Sequence, residues 1–255
     1  MITFKTIASG TFLLGLSVLT KMFLIAKERN VKRHEIHIEK NKENVKQLTI
    51  FFISDIHRRK IDRRLLKKIG QSVDLVIIGG DLAEKGVPLS RIANNIEQLS
   101  TLGQIFYVWG NNDREVGEEQ MRNIIQQFDG IILDNENQFI PNHPDWGIAG
   151  TDDPSWKMAN PEKALQDVAR YEHLLFVSHQ PVVWRRAEQF YKPTFMLAGH
   201  THGGQIRLGK FGISEKGFFK WTGNRGKLIS NGYGTTELPL RFGAHPESHL
   251  IKITY

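Results

Sequence analysis

Five short apolar runs, rich in β-branched and aromatic residues, constrain the fold of this chain more than any other feature. They cover residues 48–53, 73–78, 105–109, 174–177 and 195–198. Segments with helical spacing lie between or after them, at residues 61–69, 89–102, 118–128 and 161–171. Strands that alternate with helices are typical of an α/β domain with largely parallel strands.

The last third of the chain has a different character. From residue 205 onward it is rich in glycine, with short strand-like pieces, and it ends in the apolar segment 250–255. Such pieces predict additional antiparallel strands. We therefore expect an α/β fold in which two mixed β-sheets form a sandwich flanked by helices, preceded by an N-terminal apolar helix.

The N-terminal segment, residues 7–26, is apolar or small apart from Lys21. Its length is close to the ~20 residues that a membrane-spanning helix needs. An uncleaved anchor, a signal peptide and a non-membrane helix are all open interpretations, of which we expect the anchor. The basic residues cluster after the segment, which favours a cytoplasmic main domain at the cell membrane.

This interpretation divides the chain into an anchor helix with a basic linker, residues 1–46, and a catalytic domain, residues 47–255, although 34–38 could form a first edge strand. The formal charge of the chain is +7. Residues 1–46 hold nine basic and four acidic residues, so five of the seven excess charges lie there. The charge excess therefore indicates a membrane partner, and nucleic acid is not an expected partner. The chain has no cysteine, which excludes thiolate chemistry.

Polar residues follow each of the five predicted strands. The candidate ligands among them are Asp55, His57, Asp81, Asn111, His179, His200 and His202. In open α/β sheets, ligand sites form beyond the carboxyl ends of the strands. Oxygen and imidazole donors without sulfur suit Mn, Fe or Zn. The set is large enough for two divalent ions that share a carboxylate, with Asp81 as the natural bridge, and such a pair can activate water and clamp a phosphate.

These motifs together closely resemble those of the calcineurin-like metallophosphoesterases. The matching pieces are Asp-x-His at 55–57, Gly-Asp at 80–81, Gly-Asn-Asn-Asp at 110–113, Ser-His at 178–179 and Gly-His-Thr-His at 199–202. The stretch GHTHGGQIRL and the later LPLRFG look like the bacterial membrane-associated branch. The resemblance covers the chain from about residue 48 to its end.

The resemblance implies a ligand set and a reaction. Asp55, His57, Asp81 and His202 would hold one ion, and Asp81, Asn111, His179 and His200 the other. The ions would be divalent, with Mn expected first and Fe or Zn as alternatives. The implied activity is hydrolysis of phosphomonoester, phosphodiester or pyrophosphate bonds by a metal-bound hydroxide. A lipid-linked phosphoester is one candidate substrate. The alternatives to this function are a weakly catalytic metal-binding scaffold of the same fold and a nuclease.

One position departs from the family pattern. The family usually has His where this chain has Asn112, and an amide can donate a hydrogen bond to a phosphoryl oxygen but cannot act as a general acid. We expect Asn112 and its neighbour Asp113 to be catalytic, with Asn112, Arg58 and Arg241 contacting substrate. His143 is a candidate for the missing proton donor.

Overall fold

Two six-stranded β-sheets lie face to face in the computed structural model, which describes residues 4–38 and 45–255, with side chains from residue 12 onward. The strands are β1 Asn30–His37, β2 Gln47–Ile53, β3 Leu75–Gly79, β4 Gln104–Val108, β5 Ile131–Ile132, β6 Glu136–Ile140, β7 His143–Gly150, β8 His173–Val177, β9 Phe195–Ala198, β10 Phe218–Thr222, β11 Arg225–Ile229 and β12 Glu247–Thr254. The helices are α1 Phe4–Ala26, α2 Arg63–Ile69, α3 Leu89–Ser100, α4 Glu118–Gln127, α5 Pro161–Ala164 and α6 Trp184–Phe190.

Both sheets are mixed. The first has the order β1-β12-β2-β3-β4-β5, and the second has the order β10-β11-β9-β8-β7-β6. In the first sheet, β2, β3, β4 and β5 run parallel, and β12 is antiparallel to β2. In the second, β7, β8, β9 and β11 run parallel. The carboxyl ends of five central strands, β2, β3, β4, β8 and β9, therefore meet at one rim of the sandwich.

Strict alternation of apolar side chains builds the core. Residues such as Ile50, Phe52 and Ile77 of the first sheet pack against Leu175 and Leu197 of the second. The intervening residues of the first sheet, among them Phe51 and Val76, face α2, α3 and α4. A smaller cluster packs α5 and α6 on the outer face of the second sheet. Since both faces of the central strands are buried, the strands appear in the sequence as continuous apolar runs.

The two-sheet α/β sandwich expected from the sequence is confirmed. The structure also places β1, Asn30–His37, in the first sheet, where it runs parallel to β12 over eight residue pairs. The possible edge strand at residues 34–38 is therefore confirmed, and it begins four residues earlier, at Asn30, within the predicted linker. Two elements, β6 and α6, were not predicted, because β6 is short and polar and α6 follows a Pro-containing turn.

The first helix contacts the domain at its carboxyl end. Met22, Ile25 and Ala26 are buried, and the backbone N–H of Arg241 donates to the carbonyl of Met22 at 3.1 Å. Across residues 4–38 and 45–255, no helix has the combination of length and apolar character needed to cross a bilayer. The membrane anchor expected from the sequence stays a prediction. The linker charges at residues 39–44 lie outside the described residues.

Candidate metal centre

The candidate ligands all follow strands that end at the shared rim. Asp55 and His57 follow β2, Asp81 follows β3, and Asn111 follows β4. In the second sheet, His179 follows β8, and His200 and His202 follow β9. Backbone hydrogen bonds join the loops: Asp55 N–H donates to the Gly80 carbonyl at 3.0 Å, and Gly199 N–H donates to the His179 carbonyl at 3.0 Å. The predicted convergence of these loops is therefore what the structure shows.

Five of the seven candidate ligands have left-handed backbone conformations. The φ angles are +54° for Asp55, +51° for His57, +50° for Asp81, +70° for His200 and +50° for His202. Residues other than glycine seldom take positive φ, and each such conformation costs roughly 1–3 kcal/mol. This concentration at one rim marks it as a site that the surrounding structure holds in place.

Two glycines make the close approach of the loops possible. Gly80 has φ +83°, and a Cβ there would lie 2.5 Å from His179 Nδ1. A Cβ on Gly110 would lie 2.2 Å from Asp81 Oδ1. Any side chain at either position would displace a candidate ligand.

Three buried residues form the first ligand cluster: Asp55, His57 and His202. The Nε2 atoms of His57 and His202 lie 3.0 Å apart, and His202 Nε2 is 3.3 Å from Asp55 Oδ1. Nδ1 of His57 lies 2.9 Å from Oε2 of Glu84. A carboxylate beside Nδ1 favours the neutral tautomer that carries its proton there, which leaves the lone pair on Nε2. One ligand atom from each of the three residues lies within 4.8 Å of the other two, a spacing that a single divalent cation can bridge.

The second cluster surrounds Asp81. His179 Nε2 lies 3.3 Å from Asp81 Oδ2 and 3.1 Å from Asn111 Oδ1. His200 Nδ1 is 2.9 Å from the same Asn111 oxygen. Nδ1 of His179 donates to the Gly79 carbonyl at 2.9 Å, so Nε2 is the nitrogen that faces Asp81 and Asn111. Asp81 Oδ2 is also 3.7 Å from His57 Nε2, and Asp81 therefore reaches both clusters, as a bridging ligand would.

Within the clusters, the carboxylates and imidazoles lie close enough to shift one another's pKa. Burial disfavours the protonated ring of His179, but the adjacent Asp81 carboxylate raises its pKa to about 10. Burial disfavours ionised Asp81 as well, yet the charges of His179 and His57 hold its pKa below the usual range. Burial lowers the pKa of His202 to about 3. A bound cation would take the place of protons among these groups, because ligating imidazoles must be neutral.

Asn112 and Asp113 lie beside Asp81. The Asn112 side-chain amide donates to Asp81 Oδ2 at 2.7 Å, and its backbone N–H donates to Oδ1 at 2.9 Å. Asp113 is fully buried and accepts from the backbone N–H groups of Asp81, Ala83 and Gly110 at 2.8–3.0 Å. Burial and the nearby Asp81 charge raise the pKa of Asp113 to about 6. Asp113 thus ties two ligand loops together from beneath, whereas Asn112 lies at the rim.

The position of Arg241 contradicts the expectation that it contacts substrate. Arg241 is fully buried, and its guanidinium donates to five backbone carbonyls, of which those of Gly234 and Asn231 are at 2.7 Å. It also donates to the His202 carbonyl at 3.1 Å, and its Nη2 lies 3.3 Å from His202 Nδ1. Burial on this scale leaves no donor for a substrate, so Arg241 holds the His202 loop instead.

Two other candidates lie in different surroundings. Arg58 is exposed and forms an ion pair with Glu84, so it stays a candidate for substrate contact at the rim. His143 begins β7 at the opposite end of that strand from the ligand loops, where its Nδ1 is 2.9 Å from the Tyr255 hydroxyl. The suggestion that His143 supplies a proton is therefore wrong, because its strand carries it away from the rim.

Comparison with known proteins settles the family. The sequence profile of the calcineurin-like phosphoesterases matches residues 48–204, which is more than half of the chain. This chain belongs to the calcineurin-like phosphoesterase family. As a member of that family it is a metal-dependent hydrolase of phosphoric esters, and the dinuclear metal requirement of the family fits the oxygen and imidazole donors at the rim.

Several relatives of this calcineurin-like phosphoesterase match most of its length. It is 44% identical over 236 residues to the uncharacterized protein YpbG of Bacillus subtilis (strain 168), with 91% of each chain covered. It is 27% identical over 268 residues to the uncharacterized metallophosphoesterase YkoQ of the same organism, covering 93% of this chain and 97% of YkoQ. It is 27% identical over 235 residues to the phosphodiesterase YaeI of Escherichia coli (strain K12), covering 83% and 84%.

Glu84 is a residue that the sequence analysis missed. It is nearly buried, and it pairs with His57 on one side and with Arg58 on the other. Hydrogen bonds from His57 and Arg58 keep the pKa of Glu84 below its usual value. The signal was an acidic residue three positions after Asp81, in a loop that already held a candidate ligand. Carboxylates in this position orient a ligating imidazole and increase its basicity.

Replacement of Glu84 tests this role. We expect Glu84→Gln to weaken Mn²⁺ binding by about 10–100-fold, because a neutral amide holds the His57 ring less firmly. Isothermal titration calorimetry of the metal-free chain measures the change. Glu119→Gln, an exposed charge-matched replacement on α4, is the control. Equal affinities in the two variants would show that Glu84 does not support a metal ligand.

Proposed function

We propose that this phosphoesterase hydrolyses phosphodiester or pyrophosphate bonds with two divalent ions, preferably Mn²⁺, held by Asp55, His57, Asp81, Asn111, His179, His200 and His202. The observation that carries the proposal is the pair of Nε2 atoms of His57 and His202, 3.0 Å apart, with the Asp55 carboxylate beside them. The second nitrogen of His57 is engaged by Glu84. A cation between these atoms satisfies all of them at once.

Different side chains of the site have different proposed roles. Two bound ions, when present, supply positive charge to the phosphoryl oxygens and lower the pKa of a bound water. Asp81 spans the two clusters and fixes their separation. Asn112, one residue beyond Asn111, lies where its amide can turn from Asp81 to a phosphoryl oxygen. Arg58 at the exposed rim is the proposed cationic contact for a second acidic group of the substrate.

The absence of an imidazole at position 112 bears on the leaving group. An amide cannot protonate a departing alkoxide, and lost proton transfer costs roughly 10²–10⁴-fold for a basic leaving group. Substrates whose leaving group is already acidic lose little. This is why we favour a pyrophosphate or an activated diester over an alkyl monoester.

The first test is turnover by the metal-loaded chain. We expect hydrolysis of bis(p-nitrophenyl) phosphate after loading with Mn²⁺, and loss of that activity together with at least one bound ion in Asp81→Asn. Colorimetric release of p-nitrophenolate and elemental analysis of metal content measure the two effects. Asp167→Asn, at an exposed turn position, is the matched control. Full activity in Asp81→Asn would overturn the site assignment.

If the fully loaded chain turns over no phosphoester with Mn, Fe, Co, Ni or Zn, the scaffold alternative is favoured instead. The nuclease alternative predicts cleavage of DNA with binding that weakens steeply with salt.

A second test addresses the leaving group. We expect Asn112→His to raise kcat for phenyl phosphate by at least ~10-fold while changing p-nitrophenyl phosphate little, because only phenolate needs a proton as it departs. Asn112→Gln keeps an amide and provides the control. Steady-state kinetics on both esters give the ratio. An equal change for the two esters in Asn112→His would contradict the proposed role of position 112.

An apolar surface beside the centre supports a lipid-linked substrate. Leu208 is 72% exposed, Phe211 70% and Ile213 94%, all on the loop that follows the His202 turn. Gln205 in the same loop donates to the Leu238 carbonyl at 3.0 Å, and Leu238 is exposed as well. Exposed apolar patches of this kind mark binding surfaces. We propose that the loop of residues 206–213 contacts the hydrocarbon part of an amphiphilic phosphoester.

Chain-length preference tests this contact. We expect octyl p-nitrophenyl phosphate to have a kcat/KM at least ~10-fold above that of methyl p-nitrophenyl phosphate, since each buried CH₂ contributes about 0.8 kcal/mol. The double replacement Phe211→Ser with Ile213→Ser should remove most of that preference. Phe139→Ser, an exposed aromatic on β6, is the control. An unchanged preference in the double variant would exclude this loop as the hydrocarbon contact.

A further inference from the structure

Trp156 is an exposed aromatic residue close to the second ligand cluster. It is 45% exposed, whereas Trp109 and Trp146 are fully buried and Trp184 is nearly so. It ends the short 3₁₀ turn Pro154–Trp156, which follows β7 at the same rim as the ligand loops. An indole ring left partly in water contributes little to the core, and its position therefore calls for another explanation.

The indole is held by a ligand residue. Its Nε1–H donates to the backbone carbonyl of Asn111 at 3.0 Å. The side-chain oxygen of the same Asn111 lies 2.9 Å from His200 Nδ1 and 3.1 Å from His179 Nε2. The ring is thus anchored through one residue to the point where a phosphoryl group would bind.

The turn that carries Trp156 is fixed from a second ligand loop. Gln180, directly after His179, donates through Nε2 to Ser155 Oγ at 2.7 Å and to the Asp153 carboxylate at 3.1–3.2 Å. Asp153 Oδ1 in turn accepts from the Ser155 backbone N–H at 2.8 Å. The loops of two candidate ligands therefore place this ring, and little freedom is left to it.

The base of the turn is equally constrained. Arg114 forms a two-pronged ion pair with Asp152, at 2.7 and 2.8 Å. The Arg114 side chain is largely buried, and its guanidinium also lies over the ring of Trp109. The exposed ring thus sits on a rigid support, which is the arrangement expected of a stacking platform rather than of a mobile surface residue.

We propose that Trp156 stacks against a planar ring of the substrate, next to the scissile phosphate, so that a phosphoester carrying a heteroaromatic base is preferred over one without it. This proposal rests on the proposed phosphoesterase function, and it names Trp156 as a specificity-determining residue of the same site. A flat apolar face with a fixed edge recognises any planar ring without needing a matched hydrogen-bond pattern.

Two ligands that differ only by a base test the stacking contact. AMP and ribose 5-phosphate share the phosphate ester and the sugar, and each is used as a competitive inhibitor of the Mn²⁺-loaded full chain. We expect Trp156→Ala to raise the inhibition constant of AMP by ~5–150-fold while leaving that of ribose 5-phosphate unchanged. Trp156→Phe, which keeps a ring, should retain most of the AMP affinity. A parallel rise for both inhibitors would reduce Trp156 to a structural support and overturn the proposal.

Intrinsic fluorescence gives a readout that does not depend on turnover. AMP should quench the emission of the metal-loaded wild-type chain and of Trp221→Phe, and quenching should vanish in Trp156→Phe. Quenching that persists in Trp156→Phe, or no AMP binding by the wild-type chain, would overturn the proposal. Quenching through Trp156 in a chain that hydrolyses no phosphoester would sustain the stacking site and reject the proposed function, so the two failures are distinguishable.

Discussion

The burial of three carboxylates within one small group of loops is the constraint on which the rest of the structure depends. Asp55, Asp81 and Asp113 are all essentially excluded from solvent. An isolated buried charge is strongly destabilising, so each of the three must find compensation. Asp113 finds it in three backbone N–H groups, and Asp81 in two imidazoles and the Asn112 amide. Asp55 accepts from Ser54 Oγ at 2.5 Å and from His200 N–H at 3.1 Å.

The residues that compensate these charges have unusual backbone conformations, and the packed strands of the sandwich stabilise those conformations. Five ligand residues with positive φ each oppose folding, at roughly 1–3 kcal/mol per residue. The opposing stabilisation comes from the apolar strands that precede them, such as Phe51–Ile53 before Asp55 and Leu197–Ala198 before His200, which are buried throughout. The buried strands therefore stabilise the fold enough to tolerate the strained backbone of the site. The division between apolar strand and polar strand end, already visible in the sequence, is the physical origin of both the fold and the centre.

That division also explains which features could be predicted. Strands buried on both faces leave continuous apolar runs, and their ends were located to within two residues; β9 was located without error. The ligand types were evident because Asp, Asn and His directly follow those runs. Residues whose role depends on distant partners could not be found in this way. Glu84 acts through His57, and Trp156 acts through a carbonyl of Asn111. The prediction that Arg241 contacts substrate is wrong, because the burial of a single side chain cannot be determined from the sequence. The edge strand β1 could be predicted only as a possibility over residues 34–38, because its alternating charges suit a linker equally well.

The pairing of β1 with β12 has a practical consequence for the preparation of a shortened protein. A chain started at residue 47 would lack Asn30–His37, so β12 would become a sheet edge with eight residues of unpaired backbone. Open edges of this length recruit other strands and promote aggregation. Removal of the first helix would also deprive the Arg241 N–H of its partner at Met22, in the same residue whose guanidinium secures the His202 loop. The amino-terminal segment is thus part of the catalytic domain's own scaffold, and a soluble fragment designed without it would have a weakened centre.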